Sequence, residues 1–112
     1  MKARRVRYDA NAIRDLTEIR AYLTSRYGSQ SAGRVVKRLR ECVRRQCEIP
    51  KAGTPRPEYG ENCRFVVEPP YVIYYDYDGR MLSVLRILHQ SRDRDAIMRG
   101  VQEEAAPFDA NV

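Results

Sequence analysis

His89 is the single histidine of the chain and the only side chain whose ordinary pKa lies near neutrality. With Arg64, Arg86 and the tyrosines Tyr71, Tyr74, Tyr75 and Tyr77, it forms the one set of residues suited to acid–base chemistry on a phosphodiester. Cleaving RNA without a metal needs a base for the 2′-hydroxyl, an acid for the leaving 5′-oxygen and cations on the phosphate. The spacing argues against a ready triad. Arg86 and His89 are three apart, so a regular strand turns them to opposite faces; only a bulge or the strand's end at His89 brings them together. Tyrosines on an apolar hairpin read as core and cross-strand packing before they read as base-stacking platforms. Arg64 and Arg86 are then expected to hold carboxylates, with Glu58, Glu61 or Asp93 as partners. His89 is expected to cap the last helix or bond a backbone carbonyl. No catalytic residue is expected; Arg64, Arg86 and His89 are the alternative set.

A metal centre is not expected. Zinc takes four ligands. Cys42, Cys47, Cys63 and His89 supply that number only with no CxxC pair among them. The thiols read as small hydrophobes of a reducing compartment, and no cofactor is expected. Charge is more informative. Twenty-one basic and 15 acidic side chains give a net charge of +6. Residues 1–60 carry a net +9 and residues 61–112 a net −3, and eighteen of the basic residues are arginine. Arginine presents a planar fork that fits carboxylate and phosphate. The basic half points to an acidic partner, either nucleic acid or an acidic protein segment, against the alternative of a merely solvated surface.

The 112 residues hold one domain, and 43% apolar content is enough for a core. The longest apolar run, Tyr71 to Tyr75, is too short to span a bilayer. Met1-Lys2-Ala3-Arg4-Arg5 does not lead into the apolar stretch of a signal peptide. A soluble, cytoplasmic protein with no membrane partner is expected.

The elements that must position these residues follow from periodicity. Residues 3–8 alternate as a short strand, and Asp9 is placed to cap the helix after it. Ala12, Ile13, Leu16, Ile19, Tyr22, Leu23 and Tyr27 form one apolar stripe, ended by Gly28. Ser29 or Ser31 is placed to cap a second helix. Its stripe is Ala32, Val35, Val36, Leu39, Cys42, Val43 and Cys47, and Pro50 stops it. Its other side carries Arg34, Lys37, Arg38, Arg44 and Arg45. After a loop over 50–62 come strands at Cys63 to Glu68, Tyr71 to Tyr77 and Arg80 to His89. Asp78-Gly79 predicts a type I′ hairpin that sets Tyr77 opposite Arg80, Tyr75 opposite Leu82, Ile73 opposite Val84 and Tyr71 opposite Arg86. Ser91 is placed to cap a last helix to about Glu104, with Ala96, Ile97 and Val101 as its apolar contacts. The expected fold is α+β: a small antiparallel sheet, in the order β-α-α-β-β-β, with an N-terminal helical hairpin on it. The domain spans 1–104, and a mobile tail spans 105–112.

Five phrases in this order resemble ParE-type toxins of the RelE/ParE superfamily. They are Val6-Arg7-Tyr8-Asp9-Ala10 leading into Ile13-Arg14-Asp15-Leu16-Thr17-Glu18-Ile19; Ile49-Pro50-Lys51-Ala52-Gly53; Arg64-Phe65-Val66-Val67; Tyr71-Val72-Ile73-Tyr74-Tyr75; and Val84-Leu85-Arg86-Ile87-Leu88-His89-Gln90-Ser91-Arg92-Asp93. The resemblance implies the toxin of a type II toxin–antitoxin pair, often linked to plasmid stabilisation, that inhibits DNA gyrase and so replication. It implies neutralisation by a ParD-like antitoxin that wraps the toxin, with operator DNA bound only indirectly, through that antitoxin. RelE-type relatives instead cleave mRNA on the ribosome, and a plain basic nucleic-acid-binding module is a further alternative. The wrapping segment needs basic anchors and apolar grooves. Arg34, Lys37, Arg38, Arg44 and Arg45 are the candidate anchors, and Arg92, Arg94 and Arg99 the candidate contacts to the target.

Overall fold

The computed structural model describes residues 1–103; Glu104 and the tail 105–112 lie outside the described residues. The order is β1 (Arg5–Tyr8), α1 (Ala10–Tyr27), α2 (Ser29–Glu48), β2 (Thr54–Pro55), β3 (Cys63–Glu68), β4 (Tyr71–Tyr77), β5 (Met81–His89) and α3 (Arg94–Glu103). The loop expected over 50–62 holds β2 between two single 3₁₀ turns, Pro50–Ala52 and Pro57–Tyr59.

The five strands lie in the order β1-β5-β4-β3-β2. The sheet is mixed where an antiparallel one was expected, because β1 pairs with β5 in parallel. The β3–β4–β5 meander uses both edges of β4 and leaves the outer edge of β5 open. Asp9 N–H donates to Val84 C=O as β1 hands over to α1, which fixes that direction.

The hairpin register also differs from expectation. Tyr77 faces Leu82, Tyr75 faces Val84, Ile73 faces Ile87 and Tyr71 faces His89. The cause is the Asp78 carboxylate, which accepts the N–H groups of both Arg80 and Met81 at 2.9 Å. That moves the turn one residue on, with Gly79 at φ +102° as its first central residue. A register irregularity follows, since Tyr75 pairs with Val84 but Tyr74 with Arg86, leaving Leu85 as the extra residue. The bulge precedes both Arg86 and His89, so it does not bring them together.

α1 and α2 cover one face of the sheet. Ala12 and Leu16 from α1 and Val36, Leu39, Cys42 and Val43 from α2 meet Tyr71, Ile73, Tyr75, Tyr77, Leu82, Val84 and Ile87. The expected α1 stripe is only partly buried: Ile13, Tyr22 and Tyr27 are exposed. The end of the hairpin overhangs the sheet, and from Arg20 to Gln30 only Leu23 is even half-buried. α3 lies on the opposite face, where Met98 is fully buried among Cys63, Val72, Tyr74 and Leu88. Ile97 is partly buried beside them, while Ala96 is exposed and the side chain of Val101 lies outside the described residues.

Helix ends depart from the expected caps. Asp9 precedes α1 without a side-chain cap and takes the Arg7 guanidinium at 3.0 Å. Gly28 alone joins α1 to α2: its N–H donates to Thr24 C=O and its C=O accepts from Ala32 N–H. Its φ of +94° with ψ of 160° is a conformation that glycine alone adopts readily, so neither Ser29 nor Ser31 serves as the cap. Asp93, not Ser91, caps α3, its Oδ1 accepting from Ala96 N–H at 3.2 Å.

Several thiols and phenols packed against both faces favour their neutral forms in the fold, so stability should fall at alkaline pH. Burial pushes the Cys42 and Cys63 thiols up to about 11 from 9.0, with Glu68 and Asp76 adding to it. Burial likewise raises Cys47, Tyr8, Tyr71 and Tyr75. A pKa raised in the folded state gives stability that is complete below the unfolded value and is lost as pH climbs through the folded one. Thermal melts should hold a constant Tm up to about pH 9, then fall steadily toward pH 11. A Tm that stays level across that window would contradict the buried placement of these groups.

Candidate functional site

Arg86 sits where β5 has outrun β1. Beyond Val84 the edge of β5 has no strand beside it, and Asp15 of α1 fills the gap. Its carboxylate accepts Arg86 Nε at 2.8 Å, Arg86 Nη2 at 2.9 Å and the Ile87 N–H at 2.9 Å. Asp15 is 5% exposed. The guanidinium is thus bound in bidentate fashion by an internal carboxylate, the geometry in which arginine is least free to take a phosphate.

Arg64 is committed to the main chain. Its Nη1 donates to Lys51 C=O at 2.9 Å and to Gly53 C=O at 2.8 Å. The segment it grips, Pro50 to Gly53, is held from the other side by Tyr75. The buried Tyr75 hydroxyl donates to Pro50 C=O at 2.6 Å and accepts from Gln46 Nε2 and Gly53 N–H, each at 3.1 Å. A Cβ at position 53 would overlap that hydroxyl. Within the described residues, neither Arg64 nor Arg86 meets Glu58, Glu61 or Asp93, the carboxylates expected for them.

His89 is exposed at the end of β5. Its Nδ1 accepts the Ser91 N–H at 3.0 Å and lies 2.9 Å from Ser91 Oγ, and its ring stands edge-on to Tyr71 at 5.5 Å. It therefore closes the turn after the strand, where a helix cap or a bond to a carbonyl was expected. Arg64 pairs with Tyr75 and His89 with Tyr71. Those rows are four positions apart on β4, about 13 Å along the strand. Arg64, Arg86 and His89 are not brought together.

The basic face of α2 divides in two. Arg38 Nε meets Glu68 Oε2 at 3.0 Å and Arg38 Nη2 meets Pro69 C=O at 3.1 Å. Arg45 Nη2 reaches Glu68 Oε1 at 3.4 Å. These two arginines tie α2 to the end of β3. Arg34, Lys37 and Arg44 are exposed, and Arg34 has only an adjacent contact to Ser31 Oγ at 3.1 Å.

The basic residues around α3 also differ among themselves. Arg94 is half-buried and donates from Nη1 to the Tyr74 hydroxyl at 3.2 Å. Arg99 pairs with Asp95 at 2.9 Å and lies over the Tyr59 ring. Tyr59 in turn donates its hydroxyl to Asp95. Its pKa is pushed up to about 12, first by burial and then by that carboxylate. Arg92 is exposed and makes no side-chain hydrogen bond among the described residues.

Two structural keys went unread in the sequence. Asp15 gave a signal, an acid set between Ala12 and Leu16 on the buried side of an amphipathic helix. A charge there needs a partner. Gln46 gave the same kind of signal on the core side of α2. Nothing in local sequence tied Gly53 to Tyr75.

A family model described as ParE toxin of type II toxin-antitoxin system, parDE, matches residues 6–94. No curated protein matches the chain. Ten chains of solved structures match. Among them is one from a structure titled "Chromosomal ParDE TA system from P. aeruginosa", at 22% identity and a TM-score of 0.66, covering 80% of this chain and 96% of that one. At that identity the likeness is one of fold. The match over residues 6–94 runs from within β1 through β5, with the Asp15–Arg86 pair and the Tyr75 anchor, and the chain belongs to the ParE toxin family of type II toxin–antitoxin systems.

Proposed function

We propose that this toxin inhibits DNA gyrase without cleaving nucleic acid, and that a ParD-like antitoxin holds it inactive in the cytoplasm. One observation carries the non-catalytic part. The residues that metal-free RNA cleavage would use are engaged elsewhere: Arg86 by Asp15, Arg64 by two carbonyls and His89 by its own turn. A phosphate at Arg86 would have to displace a buried carboxylate that also holds a backbone N–H.

An antitoxin segment of mixed acidic and apolar character suits the helical hairpin. Arg34, Lys37 and Arg44 are its cationic anchors, while Arg38 and Arg45 serve the fold through Glu68. The exposed Ile13, Tyr22 and Tyr27 of α1 offer apolar ground on the same hairpin. Arg92 and Arg99 are the leading contacts for the target, and Arg94 supports α3 through Tyr74. The antitoxin carries the specific recognition of operator DNA.

Pulse labelling of cells expressing the toxin tests this reading. Incorporation into DNA should fall first, with gyrase-linked breaks, while protein synthesis continues. Early arrest of translation with cut transcripts would instead establish the RelE-like endonuclease.

A further inference from the structure

At the end of the sheet where β1 begins and the β4–β5 turn closes, Lys2, Arg4 and Arg80, with Met1 and Gly79, line a concavity of about 610 Å³. The backbone holds its two arginines in register. Arg4 N–H and Arg5 N–H both donate to Arg80 C=O, at 2.7 and 3.3 Å. Arg80 N–H is fixed in turn by the Asp78 carboxylate. The side chains of Arg4, Arg5 and Arg80 are all exposed. The acids nearby are already engaged: Asp78 by the N–H groups of the turn, and Glu48 by Lys2 at 3.1 Å.

We propose that this concavity binds the phosphodiester backbone of double-stranded DNA, so that the toxin itself touches DNA through Arg4 and Arg80. The proposal goes beyond the gyrase reading and does not depend on it. Arginine forks on a pinned backbone match phosphate oxygens in charge and in geometry. An acidic peptide fits less well. Its affinity draws on pockets for alternate side chains, and Met1, the one apolar side chain here, is 87% exposed. Single-stranded nucleic acid fits less well too, because it gains by stacking on aromatic rings and none lines the concavity.

The test is fluorescence anisotropy of the purified full chain with a labelled duplex lacking operator sequence, titrated at several salt concentrations. Each phosphate contact contributes about 0.9 to the slope of log K against log salt. The Arg4→Gln/Arg80→Gln variant should bind roughly tenfold or more weakly at low salt, with a slope shallower by about two. Arg4→Lys/Arg80→Lys should keep the parent slope, and so should Arg14→Gln/Arg20→Gln, two exposed arginines of α1. Circular dichroism verifies that each variant is folded. An unchanged slope in the glutamine variant overturns the proposal. So does tighter binding of single-stranded RNA than of duplex, and so does polyglutamate binding that the glutamine variant loses while duplex binding persists. Gyrase is absent from the assay, so a negative result leaves the gyrase reading standing.

Discussion

Asp15→Ala is expected to destabilise the fold by about 3–5 kcal/mol, the range seen when one partner of a buried ion pair is removed. The substitution strands two groups at once. Arg86, with 18% of its side chain exposed, loses its counter-charge, and the Ile87 N–H loses the Asp15 acceptor on an edge where β5 has run past β1. A domain of this size has about 5–15 kcal/mol in total, so the variant should unfold at much lower urea. Asp15→Asn keeps one acceptor for Ile87 and should lose less. Adding Arg86→Met to Asp15→Ala removes the stranded charge and should recover part of the loss, since an apolar pair replaces ions at little cost. Urea denaturation of the four proteins checks this. A loss under about 1 kcal/mol for Asp15→Ala would show that the pair is a surface contact of the usual small worth.

Tyr75→Phe is expected to cost about 3 kcal/mol or more, because one hydroxyl serves three buried partners and each orphaned group costs about 1–3 kcal/mol. Gln46, Pro50 and Gly53 would all lose it. Gly53→Ala should be as damaging by another route. Its Cβ overlaps the hydroxyl and lies 3.0 Å from Phe65 C=O, so the segment gripped by Arg64 must shift. The two substitutions should couple. In the Tyr75→Phe background the overlap is partly relieved, and the double variant should lose clearly less than the sum. Strict additivity in denaturant midpoints would mean that Gly53 and Tyr75 do not share one site.

The sequence carried the helices and strands well because each has a clean period. The α2 stripe and the near-continuous apolar run of β4 left little choice. It carried less where one carboxylate outweighs a local rule. Asp78 moved the hairpin turn by one residue through two backbone bonds, and Asp93 displaced Ser91 as the cap. The parallel pairing of β1 was out of reach, because it depends on which edge the meander leaves open. For the site, the sequence offered Arg64, Arg86 and His89 as an alternative catalytic set, which the fold holds apart. Their partners lie far along the chain: Asp15 is 71 residues from Arg86, and the carbonyls that hold Arg64 belong to a loop without a periodic signal. The same distance effect hid the division of the α2 face, because Glu68 comes from β3.

The most direct measurement is a supercoiling assay with purified gyrase, relaxed plasmid, ATP and the purified toxin, run beside translating ribosomes given the same protein. Blocked supercoiling and accumulated cleaved plasmid are the expected result, equally with the exposed His89→Ala variant, while ribosome-bound mRNA stays intact. Undisturbed supercoiling at excess toxin, together with mRNA cutting that His89→Ala abolishes, would contradict it.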